Sequence, residues 1–150
     1  VKVVLAEVEL GALFLATTCG AVLLLDPERR GVEEVGAVEA GLLSARWSPD
    51  GEVVALLTAD SHVLLMGKEW DVIEELVLEM PAEGSSEVAG RLTWRGDGQL
   101  VAANVQAADG RCGLTILRRD PFEVVASVGA VEGLGLPIDW QPNGRHLYGV

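Results

Sequence analysis

The sequence is poor in the residue types on which most specialised chemistry depends. Its 150 residues include two cysteines, two histidines, six prolines and one tyrosine. Cys19 and Cys112 stand alone, with no CxxC spacing, so neither a zinc ribbon nor a disulfide framework is encoded. No basic n-region followed by an apolar h-region opens the sequence. Two reduced thiols are therefore the expectation, with a Cys19–Cys112 bridge as the minor alternative. Basic residues are also few: 11 Lys+Arg stand against 23 Asp+Glu, a net charge of −12. Gripping a nucleic-acid backbone needs clustered cations, so direct contact with RNA or DNA is not expected of this segment. No apolar run reaches the roughly 18 residues of a membrane-spanning helix, and no membrane association is expected.

What the sequence does have is apolar mass and glycine. Apolar residues make up 49%, the mean hydropathy is +0.32, and there are 18 glycines. Valine and leucine dominate the apolar set. A disordered acidic tail is excluded, because such tails lack the apolar residues needed for a core. Strands joined by many tight turns are the reading that fits.

An internal repeat decides the fold class. Trp47-Ser48-Pro49-Asp50-Gly51, Trp94-Arg95-Gly96-Asp97-Gly98 and Trp140-Gln141-Pro142-Asn143-Gly144 align without gaps. LFLATTCGAVLLL (13–25) resembles VALLTADSHVLLM (54–66) and reads as a fourth copy lacking its head. Each repeat divides into short strands. The first complete copy reads as 42–48, 52–59, 62–66 and 70–79, and the second as 91–95, 99–107, 114–119 and 121–128. The third begins with 134–141 and runs into 145–150. Trp70, Ile73, Val77 and Met80 have helical spacing, but the corresponding stretch of the next repeat begins at Pro121 and is rich in valine. Repeat register outranks one ambiguous window, so 70–79 is predicted as strand.

Four strands per unit, with a period of 40–50 residues, mark the blade of a β-propeller. The prediction is an all-β, WD40-like β-propeller in part: about three four-stranded blades of an unclosed ring. Residues 1–40 are a partial blade, 41–80 a complete blade, 81–90 a loop, 91–129 a complete blade, and 130–150 the start of a further one. Glu33, Glu34, Glu74, Glu75, Glu79 and Glu123 fall in or beside the fourth strands, whereas the first strands are nearly uncharged. Charge on an outer edge discourages pairing with other chains. A ring needs typically four to eight blades, so the sequence is read as a piece of a longer protein.

The residues that suggest chemistry have structural explanations. Asp50 and Asp97 lie one repeat apart, each before glycine, and Asn143 takes the third position; all three read as turn formers rather than an acid/base pair. Trp47, Trp94 and Trp140 read as blade core, since a base-stacking platform would carry basic neighbours. Arg95-Gly96-Asp97 spells a cell-adhesion tripeptide but sits in a repeat turn. His62 and His146 lack ligand-spaced partners, and no nucleophile or nucleotide-binding motif occurs. No catalytic, cofactor or metal residue is expected, and no cofactor. Cys112 falls in a turn without a neighbour to activate it. MPAEGSSEVAG (80–90) reads as a surface connection, with Ser85 and Ser86 as candidate phosphorylation sites. Glu69, Asp71, Glu74, Glu75, Glu79, Glu83 and Glu87 form an acidic outer face, read first as a solvated edge and second as a dock for a basic partner.

The blocks also resemble one family. SARWSPDGEVVALLTADSHVLLMGKEWDVI (44–73), LTWRGDGQL (92–100) and GLGLPIDWQPNG (133–144) are similar, in order and spacing, to first-propeller blades of the largest Elongator subunit, the IKAP/IKI3 family. The stretch 76–90 is shorter than is usual in that family. The resemblance implies a scaffold of two N-terminal propellers, a helical-repeat middle and a C-terminal dimerisation region, within a cytoplasmic complex that modifies the wobble uridine of certain tRNAs. It implies other Elongator subunits as partners, tRNA reached only through the wider complex, and homodimerisation only through regions outside this segment. The chemistry belongs to another subunit, so no catalytic residue is implied here. A propeller attached to a hydrolase, of peptidase or TolB-like type, and one from a translation-initiation factor are the alternatives.

Overall fold

A computed structural model describes residues 2–9, 12–79 and 87–149. Among the described residues there are fourteen strands and no helix. The first sheet takes β1 (Val3–Glu9), β2 (Ala12–Thr17), β3 (Ala21–Asp26) and β4 (Gly31–Ala37). The second takes β5 (Leu42–Trp47), β6 (Val53–Thr58), β7 (His62–Gly67) and β8 (Val72–Val77). The third takes β9 (Glu87–Trp94), β10 (Leu100–Ala107), β11 (Cys112–Arg118) and β12 (Glu123–Val131). A two-stranded piece, β13 (Ile138–Trp140) and β14 (Leu147–Gly149), follows. Strand order equals chain order in each of the three four-stranded sheets, and every pairing is antiparallel. The sheets stack side by side and do not close.

Three details differ from the sequence reading. The copy at 1–40 has a head after all: β1 pairs with β2 from Val3↔Thr17 to Glu9↔Ala12. It was hidden because only residues 10 and 11 separate the two strands, so the Trp-turn-Gly block that marks the other copies is missing. The stretch read as a loop at 81–90 contributes residues 87–90 to β9, where Glu87 pairs with Ala107; residues 80–86 lie outside the described residues. The strand predicted at 70–79 is present as β8, but it starts at Val72. Trp70 sits before it in a turn, at φ 64, a conformation that bulky side chains rarely adopt.

The core lies between the sheets. β6 and β7 sit in the middle of the second sheet with neighbours on both faces, so their side chains alternate between two cores. Val53, Ala55, Leu57, Val63 and Leu65 face the third sheet, where Leu92, Trp94, Val101, Ala103, Val105 and Leu117 meet them. Val54, Leu56, Leu64 and Met66 face the first sheet, against Leu5, Phe14, Ala16 and Val22. That explains why β6 opens with an unbroken apolar run, VVALL, and is buried throughout, Thr58 included. Each fully buried valine, leucine, methionine or phenylalanine among them contributes about 1.5–3 kcal/mol. The fourth strands are mostly exposed, and Glu33 and Glu34 on β4, Glu74 and Glu75 on β8 and Glu123 on β12 all reach solvent.

The first hairpin of each later sheet is built by the repeated turn. Gly51, Gly98 and Gly144 adopt φ of 68, 68 and 67, which glycine accepts without cost. Their amides donate to Ser48 O, Arg95 O and Gln141 O, each at 2.8 Å. Asp50, Asp97 and Asn143 each accept a backbone N–H two residues on, from Glu52 (3.1 Å), Gln99 (3.0 Å) and Arg145 (2.9 Å). The aspartates thus take the same part as the asparagine, capping a turn.

Candidate interaction surface

The aligned tryptophans stitch neighbouring sheets together. Trp94 Nε1 donates to Arg46 O at 2.9 Å, and Trp140 Nε1 donates to Thr93 O at 3.2 Å. Each acceptor is the residue just before the tryptophan of the preceding sheet. Trp47 has no such bond: its indole N–H is buried and unpartnered among the described residues. Trp94 is buried, while Trp47 and Trp140 are half-buried.

The junction between the second and third sheets is tightly closed. Ser44 Oγ accepts the Leu92 amide at 3.2 Å. Arg119, just past the end of β11, donates from Nη1 to Asp50 Oδ2 at 2.6 Å. The Ser48 hydroxyl, Arg119 and the Glu52 amide, in that order of effect, hold the Asp50 carboxyl at about 2, below its ordinary 3.8. A Cβ on Gly98 would lie 3.5 Å from both Pro49 Cδ and Arg119 Nη1, which shows how closely the 48–51 turn packs there.

The junction between the first and second sheets is different. Phe14, Trp47 and Trp70 form an aromatic trio, with Phe14 and Trp70 stacked at 5.7 Å and Trp47 set edge-on at 5.3 Å from Phe14 and 6.2 Å from Trp70. Beside the trio opens a pocket of about 360 Å³. Ala12, Leu24, Asp26, Arg29, Gly31, Val32 and Glu33 line it from the first sheet, and Trp47, Gly51, Lys68 and Trp70 from the second. Residues 10 and 11 alone separate β1 from β2, whereas residues 48–52 separate β5 from β6. Strand register equates Lys68 with Arg119, since Met66 pairs with Val54 as Leu117 pairs with Val101. Lys68 Nζ, however, donates to Glu52 of its own sheet at 2.8 Å.

Other residues singled out in the sequence are tied up locally. Arg95 forms a two-point pair with Asp97 (2.9 and 2.7 Å), and its guanidinium lies 5.9 Å from the Trp140 ring, so both charged ends of Arg95-Gly96-Asp97 are engaged. Mutual bonding lowers the Asp97 pKa and raises that of Arg95. His62 Nδ1 pairs with Glu75, and His146 Nδ1 lies 3.1 Å from Gln141 Oε1. Among the described residues, no three of His, Cys, Asp and Glu come together as a metal site.

Cys19 and Cys112 are both free, so no bridge joins them. Cys19 is exposed, and a hydrogen bond with the Thr17 hydroxyl lowers its thiol pKa. Cys112 is buried, and burial raises its pKa. Glu69, Asp71, Glu74, Glu75 and Glu79 are exposed. Glu83, Ser85 and Ser86 lie outside the described residues, and of Glu87 only the backbone in β9 is described.

Sequence reasoning missed Phe14, Trp70, Arg119 and Asn104. Aligning the third strands would have pointed to Arg119 through Lys68. Asn104 is fully buried in β10 and donates to Gly135 O (2.9 Å) and Leu136 O (3.0 Å), fixing the chain that leads to β13. Nothing in its local sequence marks that role.

Up-and-down four-stranded sheets stacked about a common centre, unclosed, make this a segment of a WD40-like β-propeller. Solved WD40 domains share the architecture: that of Toxoplasma gondii coronin superposes with a TM-score of 0.73 at 21% identity, over 99% of this chain and 39% of that one. The C-terminal WD40 domain of Sif2 gives a TM-score of 0.70 at 17% identity, over 99% and 42%. The chain belongs to the family of the ELP1 first N-terminal β-propeller, matched over residues 5–90. It is similar to Elongator complex protein 1 of Rattus norvegicus (26% identity, covering 87% of this chain and 12% of that protein). The protein of that name from Arabidopsis thaliana is 27% identical over 97% of this chain and 12% of its own length. The chain thus spans about an eighth of these relatives.

Proposed function

We propose that this segment is a non-catalytic scaffold part of an Elongator-type complex acting in tRNA wobble-uridine modification. The family match over residues 5–90 carries this reading and sets it above a hydrolase or initiation-factor propeller. The geometry supports it: the paired aspartates cap turns, the Arg-Gly-Asp charges neutralise each other, and the tryptophans join sheets. Other Elongator subunits are the partners, through protein–protein contacts. The net charge of −12 supports tRNA being reached only through the wider complex, and homodimerisation is expected only through regions outside this segment. Among the described residues, no helix is long and apolar enough to cross a membrane. The family match supports the cytoplasm as the compartment.

The sheets act as successive blades of one ring: 1–40, 41–80, a third whose strands run from Glu87 to Val131, and a further one that begins after it. Affinity purification of the full-length protein tests the reading. Recovery of the second and third Elongator subunits is expected, and their absence would overturn it.

A further inference from the structure

We infer that the pocket between the first and second sheets receives an arginine side chain from a partner polypeptide. Both of its walls are complete four-stranded sheets, so it does not depend on the unclosed end of the ring. Its volume, about 360 Å³, suits one long side chain with some of its backbone. The indoles of Trp47 and Trp70 supply an aromatic wall, the surface over which a planar guanidinium binds best.

The charge around the mouth selects the sign of the guest. Arg29 is paired with Asp26 at 3.5 Å and Lys68 with Glu52 at 2.8 Å, so each rim cation already has a carboxylate. Glu33 lines the same pocket, is exposed, and has no partner among the described residues. The spare charge is therefore negative, on a chain of net charge −12. Arginine satisfies both features at once, stacking on indole and presenting its N–H fork to the carboxylate. Trp70 holds its place at φ 64, an unfavourable backbone conformation that the stacking on Phe14 helps maintain.

The idea rests on the scaffold reading only in expecting a protein partner; a direct peptide titration tests it without the complex, so either can fail alone. The full-length protein is titrated with a fluorescein-labelled Gly-Gly-Arg-Gly-Gly peptide and its citrulline counterpart, which keeps the shape and removes the charge. Arginine should bind at least roughly fivefold more tightly, the ratio expected of one cation–π contact near an aromatic wall. Glu33→Gln should remove most of that preference, and Trp70→Leu should do the same. Glu34→Gln, an exposed neighbour on β4 outside the pocket, should leave it unchanged. Equal binding of arginine and citrulline overturns the proposal. So does an unaffected Glu33→Gln variant, or an equal loss with Glu33→Gln and Glu34→Gln, which would mean diffuse attraction to acidic outer strands. Glu33→Gln alters only an exposed side chain, so the test stands even where Trp70→Leu fails to fold.

Discussion

The two complete junctions between sheets use the same repeat positions to opposite effect. Where the second sheet meets the third, the tryptophan N–H finds a carbonyl, the 48–51 turn packs on Gly98, and Arg119 clamps Asp50. Where the first meets the second, the tryptophan N–H has no partner among the described residues, only residues 10 and 11 separate β1 from β2, and the indoles of Trp47 and Trp70 border an open pocket. The fold tolerates the second arrangement because aromatic packing replaces polar stitching. Edge-to-face and offset pairs each contribute about 0.5–1.5 kcal/mol beyond their burial, comparable to a net hydrogen bond. One junction is built to hold, and the other holds while leaving a concave surface.

That contrast can be broken experimentally in the full-length chain by following its unfolding in denaturant. The largest effect is expected from Trp94→Ala, a loss of about 3–5 kcal/mol. Trp47→Ala should cost about 1 kcal/mol less, because no hydrogen bond is lost with it. Equal losses would show that the missing bond has no energetic meaning. Asn104→Ala comes next, at about 1–3 kcal/mol, since it strips the donor from the Gly135 and Leu136 carbonyls.

Smaller effects follow from the ion pairs. The Asp50 pKa is lower folded than unfolded, so its contribution is present above about 4 and is lost as the pH falls towards about 2. The carboxylate is 48% exposed, and solvent screening keeps this contribution under about 1 kcal/mol. Asp50→Asn should therefore flatten stability against pH in that window and change little at neutral pH beyond this amount. Lys68→Met, at the open junction, should shift stability by no more than about 0.5 kcal/mol, because its pair with Glu52 is largely solvated. A larger change there would mean that the two junctions are more alike than their geometry indicates.

How much of this was legible depended on whether a feature recurs in the chain. The tryptophan blocks repeat, so they revealed the sheets, the turn glycines and the capping role of Asp50, Asp97 and Asn143. The glutamates of β4, β8 and β12 revealed the outer strands, because an exposed edge tolerates charge. β1 is not legible because it carries no tryptophan, and its two-residue link to β2, Leu10-Gly11, is too short to hold the Trp-turn-Gly spacing of the other copies. The pocket is not legible either, because its lining joins residues of two sheets that lie far apart in the chain, from Ala12 to Trp70. Trp70 was read as part of a strand, because nothing local shows that Phe14, fifty-six residues earlier in the chain, would stack on it. Arg119 and Asn104 act across sheets, and pairings of that range depend on how the sheets are set against one another.

The tryptophan bonds also have a direction in time. In both, the acceptor belongs to the earlier sheet and the donor to the later one: Arg46 waits for Trp94, and Thr93 waits for Trp140. A chain emerging from the ribosome N-terminus first would meet each acceptor already seated when the next indole arrives. Growth of the ring can then proceed like laying courses of brick, each course gauged against the one below, and its angular spacing is handed on without waiting for the circle to close.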